Sequence, residues 1–170
     1  MQLDRAHWAS AVSLVEARLM RNRGHILLAE RDPDYAFLVQ HALNEAGVTN
    51  PVHVVRSRAE TLAYLKGEGT YADRSTYPLP TVIVLALKMP LLHDFDVLRW
   101  IREQPELSDA RVVVLSGIEY EEEARVAREL GVDCYQAKPF GFDQLLEMAQ
   151  HLREWWIWPD DAPEPLERAA

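Results

Sequence analysis

An α/β fold, a five-stranded parallel sheet covered by helices on both faces, is what this sequence predicts. Three observations carry it. From His25 onward, short apolar runs alternate strictly with helical patterns over five strand–helix units. The connections are short and each strand is followed by a crossover helix, which makes the strands parallel and the crossovers right-handed. The run TVIVLAL (81–87) is apolar along its whole length, the pattern of a central strand buried on both faces.

Residues 4–22 come first. Trp8, Val12, Val15 and Leu19 fall at spacings of three or four, one stripe of a helix, with Asp4 placed to cap it and Asn22-Arg23-Gly24 ending it. The stripe suits packing on the main domain as well as a partner or dimer surface. His25 to Ala29 is a buried strand. Asp32-Pro33 reads as an N-cap with proline at the first helical position, and the helix runs to about Ala46, where Gly47 stops it. Val52 to Val55 is the second strand. Ser57 and Glu60 have capping-box spacing, so the second helix starts there and ends near Gly67. Residues 67–80 form a polar loop punctuated by Gly67, Gly69, Pro78 and Pro80. After the central strand, a third helix covers about 94–104 and stops before Pro105. Arg111 to Leu115 is the fourth strand. The fourth helix, about 120–130, opens on Glu121, Glu122 and Glu123, which suit a positive helix start, and Gly131 ends it. Asp133 to Ala137 is the fifth strand, and a last helix runs from about Phe142 to Trp155.

The 170 residues are 48% hydrophobic and 26% charged, the balance of a globular chain rather than a disordered one. The length suits one domain with appendages: a helical extension over 1–24, a main domain over 25–155 and a tail over 156–170. A net charge of -9 argues against nucleic acid and against a polybasic membrane anchor. The single cysteine, Cys134, excludes an internal disulfide and reads as a small packed side chain. There is no secretory pattern at Met1 and no apolar stretch near the ~18 residues of a membrane span, so a cytoplasmic location is expected. The aromatic run Trp155-Trp156-Ile157-Trp158 is an expected anchor for self-association.

In open parallel sheets, sites lie at the carboxyl ends of the strands. Here those ends are Ala29–Asp32, Leu85–Pro90, Leu115–Gly117 and Ala137–Pro139. The stretches ILLAERDPD (26–34), YLKGEGTYADRSTYPLP (64–80), VIVLALKMP (82–90), DVLRWIREQPEL (96–107), VVVLSG (112–117) and YQAKPF (135–140) resemble the receiver domain of two-component response regulators. The similarity is greatest to stand-alone receivers that partner phytochrome-type sensor kinases, and it covers about residues 25–155. It implies the flavodoxin-like strand order 2-1-3-4-5.

The family's chemistry uses two acids after strand one to hold Mg²⁺, an aspartate after strand three to accept the phosphoryl group, a hydroxyl after strand four, a lysine after strand five and a switching aromatic on strand five. Carried over by position, Glu30 matches the first acid, but Arg31 stands in place of the second. Ala86 stands in place of the phosphoacceptor. Ser116 matches the hydroxyl, Lys138 the lysine and Tyr135 the aromatic. Past Lys88-Met89-Pro90, where the family shows Asp-Gly, this chain has His93-Asp94. A methyl group has no oxygen to attack phosphorus, so phosphorylation at Ala86 is impossible. Glu30, Arg31 and Lys138 sum to a formal charge of +1, where the family pattern sums to -2, so no Mg²⁺ site and no cofactor are expected. Losing both positions marks natural degeneration, a pseudo-receiver.

For Arg31 three roles are open: an exposed side chain, a built-in cation paired with Glu30, or part of an anion site with Lys138 and Ser116. The function expected is a non-enzymatic binding module, homodimeric, whose partner is a sensor histidine kinase or another response regulator. The alternative is a conventional receiver phosphorylated on a substitute carboxylate, Asp32 or Asp94. Family kinases contact the first helix, so residues 34–46 are the expected docking face. There Phe37 and Leu38 are expected in the core, and Gln40 outside it. An enzyme on the same architecture lacks support: no glycine-rich phosphate cradle follows strand one, and no nucleophile elbow occurs.

Overall fold

The computed structural model describes residues 24–86, 94–117 and 121–155, without the side chains of Asp94 and Trp155. The expected N-terminal helix, Lys88-Met89-Pro90, His93 and the tail from Trp156 lie outside the described residues. The elements are β1 (Ile26–Ala29), α1 (Pro33–Glu45), β2 (Val52–Val55), α2 (Arg58–Lys66), β3 (Val82–Leu85), α3 (Asp94–Glu103), β4 (Arg111–Ser116), α4 (Glu121–Glu129), β5 (Cys134–Ala137) and α5 (Phe142–Trp155). The five strands form one parallel sheet in the order β2-β1-β3-β4-β5, so β3 is central, as its unbroken apolar run requires.

Alternation along the strands divides the core in two. Ile26, Leu28, Val82 and Val84 face α1 and α5, packing with Val39, Leu43, Leu145 and Leu152. Leu27, Ala29, Ile83 and Leu85 face α2 and α3, packing with Tyr64, Leu65, Val97 and Ile101. The helix signals operate as the sequence suggests. Asp32 accepts hydrogen bonds from the Asp34 and Tyr35 amides at the start of α1, and Ser57 accepts one from the Glu60 amide at the start of α2. Gly67 ends α2 at φ +71°, the left-handed conformation that favours glycine.

The segment 67–80 differs from its expectation as a polar loop. It contains a short 3₁₀ turn (Gly69–Tyr71) and is held down by aromatic rings. Tyr64, Tyr71 and Tyr77 meet one another with ring centroids 5.1–5.9 Å apart, and His53 joins at 5.4 Å from Tyr64. Arg74 donates to the carbonyls of Tyr64 and Leu65 in the last turn of α2 and to that of Tyr77, and so ties the segment to the helix end. Two tyrosines and an arginine spaced through a polar stretch have no regular period, so pattern reading missed them.

Beside this cluster, at the amino end of β1, His25 Nδ1 lies 2.9 Å from His53 Nε2 with the rings stacked. One of the two nitrogens must stay bare to accept, so the contact is lost when both rings are protonated. Burial holds both histidines below the usual 6.5, and His53 adds to this at His25. The unfolded chain therefore takes up protons first as pH falls. The stability supplied by this pair is complete above about pH 6.5 and is lost as pH drops below it. Urea unfolding followed from pH 8 to pH 5 should show that decline, and a His25→Gln/His53→Gln variant should flatten it.

Candidate functional site

The strand register assembles the pocket. Ala29 pairs with Val55 and Leu85, and Ser116 pairs with Ala137. The next residue of each chain continues the ladder: Glu30 N donates to Val55 O, Ala86 N to Ala29 O, and Lys138 N to Ser116 O. Glu30, Ala86 and Lys138 thus stand one step past the carboxyl ends of β1, β3 and β5, and all three are buried.

The charges in the pocket are already matched. Lys138 Nζ lies 2.5 Å from Glu30 Oε2. The contact is an ion pair, and Glu30 Oε2 makes no directed hydrogen bond. The other oxygen, Glu30 Oε1, accepts a 2.8 Å hydrogen bond from the Asp32 amide. Lys138 Nζ also lies 4.2 Å from the centroid of the Tyr35 ring, a cation–π contact. The Tyr35 hydroxyl donates to the Pro139 carbonyl at 2.9 Å and so ties α1 to the β5–α5 connection. Burial first, and the Glu30 charge second, push the Tyr35 hydroxyl well above its ordinary value, so it stays a donor at any physiological pH.

Arg31 is exposed, and Glu30 pairs with Lys138 instead of with it. Of the three roles open to Arg31, the built-in pair with Glu30 is therefore not the arrangement found. The buried cation comes from β5. The reason is geometric: Glu30 follows a fully buried strand and points into the sheet's end, while Arg31 begins the turn into α1. Asp32, one of the two substitute acceptors considered, is engaged as the α1 cap. The side chain of the other, Asp94, lies outside the described residues.

Ser116 and Tyr135 converge on a residue that sequence reasoning treated only as a helix-start charge. Glu123 Oε2 accepts from Tyr135 Oη at 2.9 Å and from Ser116 Oγ at 3.3 Å. Glu123 lies in the first turn of α4, so it links β4, α4 and β5. Tyr35 was missed as well, although its place in the first turn after Asp32-Pro33 put it beside the pocket. Cys134 is half-buried, and burial first and the Asp133 charge second raise its thiol above the ordinary value, which favours the protonated form.

The donor set does not fit a hard divalent cation such as Mg²⁺, which takes oxygen ligands. Among the described residues, the one buried carboxylate has both oxygens engaged, the Ala86 side chain offers no donor atom, and no cluster of three or more metal-ligating side chains occurs.

The packing around α1 also departs from expectation. Phe37 is 67% exposed and Leu38 38% exposed, whereas Gln40 is half-buried. The stretch Tyr35–Leu43 is apolar on nearly every side, so its phase is ambiguous in sequence, and the contact with α5 settles it through Ala36, Val39 and Leu43. Phe37 stacks on His41, which meets Phe142 at 5.2 Å, and Phe140 next to the pocket is 76% exposed. Phe37, His41 and Phe142 form a ring cluster across α1 and the start of α5.

A doubly wound sheet in this order, with polar residues gathered at its carboxyl edge, defines a receiver-type domain. Residues 26–150 match the response regulator receiver domain family, and the chain belongs to it. Response regulator Rcp1 of Synechocystis sp. is 30% identical over 132 residues, spanning 78% of this chain and 88% of Rcp1. Among solved structures, the phosphorylated cyanobacterial phytochrome response regulator RcpA superposes with a TM-score of 0.69 at 33% identity, covering 78% of this chain and 93% of RcpA. The Mn²⁺-bound form of Rcp1 gives 0.68 at 28% identity, covering 84% and 99%. No helix among the described residues is long and apolar enough to cross a membrane.

Proposed function

We propose that this chain is a pseudo-receiver: a binding module of a two-component pathway that neither takes up phosphate nor holds Mg²⁺. The observation that supports this most is the buried Glu30–Lys138 pair beside Ala86. The lysine that the family aims at a phosphoryl group has its counterion already, and the residue at the acceptor position has no nucleophilic atom. RcpA in its phosphorylated form and Rcp1 in its Mn²⁺-bound form are relatives in which such chemistry occurs. Their likeness favours a phytochrome-type sensor kinase, or another regulator of the same pathway, as the partner of this chain. The protein acts in the cytoplasm as a homodimer, without enzymatic activity, and its tryptophan-rich tail contributes to self-association.

Titration of the purified protein with Mg²⁺ and beryllofluoride should show no saturable heat, while light scattering reports a dimer mass. Saturable binding of beryllofluoride would overturn the reading. Phosphotransfer from a labelled kinase followed by peptide mapping would then show whether Asp32 or Asp94 is the acceptor.

The patch around Phe37 is the face to test for the partner. Because Phe37 is mostly exposed, Phe37→Glu should change folding stability by no more than about 0.5 kcal/mol. At the centre of an apolar contact, the same change should weaken partner binding by about 2 kcal/mol, near thirtyfold. Unchanged affinity in a pull-down or titration with the kinase would move the docking face elsewhere.

A further inference from the structure

A second set of ligating atoms lies at the amino end of the sheet, remote from the pocket. His25 and Glu30 bracket β1, so the two ends stand roughly 16 Å apart along the strand. At the amino end the imidazoles of His25 and His53 meet, Nδ1 to Nε2 at 2.9 Å. Register brings them together. Leu27 pairs with His53, and side chains two residues apart share a face of the sheet, so His25 and His53 both stand on the α2/α3 face. The backbone beneath them is pinned from both neighbouring strands: Thr81 N donates to His25 O and Ile26 N to Pro51 O, each at 2.9 Å. Asn50 Nδ2 fixes the Gly24 carbonyl at 2.7 Å, and the rings of Tyr64 and Tyr77 pack on His53.

Both rings are half-buried, and burial keeps each below the usual 6.5, so at neutral pH each has one protonated nitrogen and one lone pair to offer. Neutral imidazole is the form that binds metals. The spacing selects among them. Two nitrogens each about 2.05 Å from a metal and about 90° apart at it lie about 2.9 Å from each other, the cis edge of a square-planar or octahedral ion such as Cu²⁺ or Ni²⁺. A tetrahedral Zn²⁺ with similar bonds needs about 3.3 Å. While the rings share a hydrogen bond, one ring's proton lies between the nitrogens. To take a metal, that proton moves to the same ring's other nitrogen, and both rings turn about their Cβ–Cγ bonds, a soft torsion, until the lone pairs converge. No net proton is released. Among the described residues no third His, Cys, Asp or Glu joins the pair, so water fills the remaining positions.

We propose that His25 and His53 form a bidentate site for a late first-row divalent transition-metal ion, Ni²⁺ or Cu²⁺ in type, that clamps the start of β1 to β2. The site is chemically separate from the pocket, because a hard ion such as Mg²⁺ takes oxygen ligands and gains little from two imidazoles. It adds a link between neighbouring strands where β1 begins, and so raises the stability of the fold as metal occupancy rises. His41, stacked with Phe37 and Phe142 on another face of the molecule, serves as the internal control.

The test titrates Ni²⁺ into the full chain, free of any affinity tag. Calorimetry should show saturable binding of one ion per chain. His25→Gln and His53→Gln should each weaken it roughly tenfold or more, since each removes half of the protein ligands, while His41→Gln leaves it unchanged. Saturating Ni²⁺ should raise the Tm of the natural sequence and leave that of His25→Gln/His53→Gln where it was. Amide spectra of the natural protein decide the point without a variant: paramagnetic Ni²⁺ in substoichiometric amounts should broaden the signals of His25, Leu27 and His53 before those of His41 and His151. Failure to saturate at millimolar Ni²⁺, an affinity indifferent to both substitutions, an equal loss in His41→Gln, or broadening that starts at any other histidine would overturn the proposal.

Discussion

The double variant Arg31→Asp/Ala86→Asp should bind Mg²⁺ at least tenfold more tightly than the natural sequence. It takes the formal charge of the pocket from +1 to -2 and supplies two carboxylates at the ends of β1 and β3. A tenfold gain is about 1.4 kcal/mol. Two unit charges 4 Å apart at an effective dielectric of 20 interact by about 4 kcal/mol, so a change of three charges is ample. The backbone needs no rearrangement, since Ala86 is already held against Ala29 by its amide. Ala86→Asp alone should gain less, because Lys138 would then be shared between two carboxylates while Arg31 remained. Titration calorimetry with Mg²⁺, then with Mg²⁺ and beryllofluoride, reads the result. A double variant with the affinity of the natural sequence would mean that Arg31 and Ala86 do not hold the positions assigned to them.

The second large effect concerns folding. Lys138→Met should destabilise the domain by about 3–5 kcal/mol, the usual cost of stranding one member of a buried ion pair. Glu30 would keep its Asp32 amide but lose the cation paired with it. The double variant Glu30→Gln/Lys138→Met should recover most of the loss, because a neutral amide can still accept from Asp32 and no uncompensated charge remains. A double-mutant cycle in urea measures the coupling. If Lys138→Met costs less than about 1 kcal/mol, the pair is solvated and the pocket is open.

Local rules made most of the architecture legible. Asp32 and Ser57 cap their helices through side-chain oxygens, and Gly47, Gly67 and Gly131 end theirs at positive φ. Each of these signals acts within four residues, the range over which a sequence can be read directly. The pocket was legible by position, since strand ends in a parallel sheet converge, but its wiring was not. The partner of Glu30 is Lys138 rather than the adjacent Arg31, a choice that depends on which of the residues just past the strand ends turn inward. Tyr35 over Lys138 and Glu123 between Ser116 and Tyr135 are likewise contacts between elements distant in the chain. Phe37 was misjudged for another reason: its helix has apolar residues in excess of what one face can bury, so composition could not say which would be left outside.

The Glu30–Lys138 contact has a consequence for how such a protein could carry information. A receiver that is charged and discharged holds a memory of recent kinase activity, written in an exchangeable group. On the pseudo-receiver reading, a pocket that neutralises itself from two residues of its own sequence has nothing to write with and nothing to erase. Its contribution to a circuit would scale with the number of molecules made and degraded, so the quantity under control would be abundance, and the time constant would be that of synthesis and turnover.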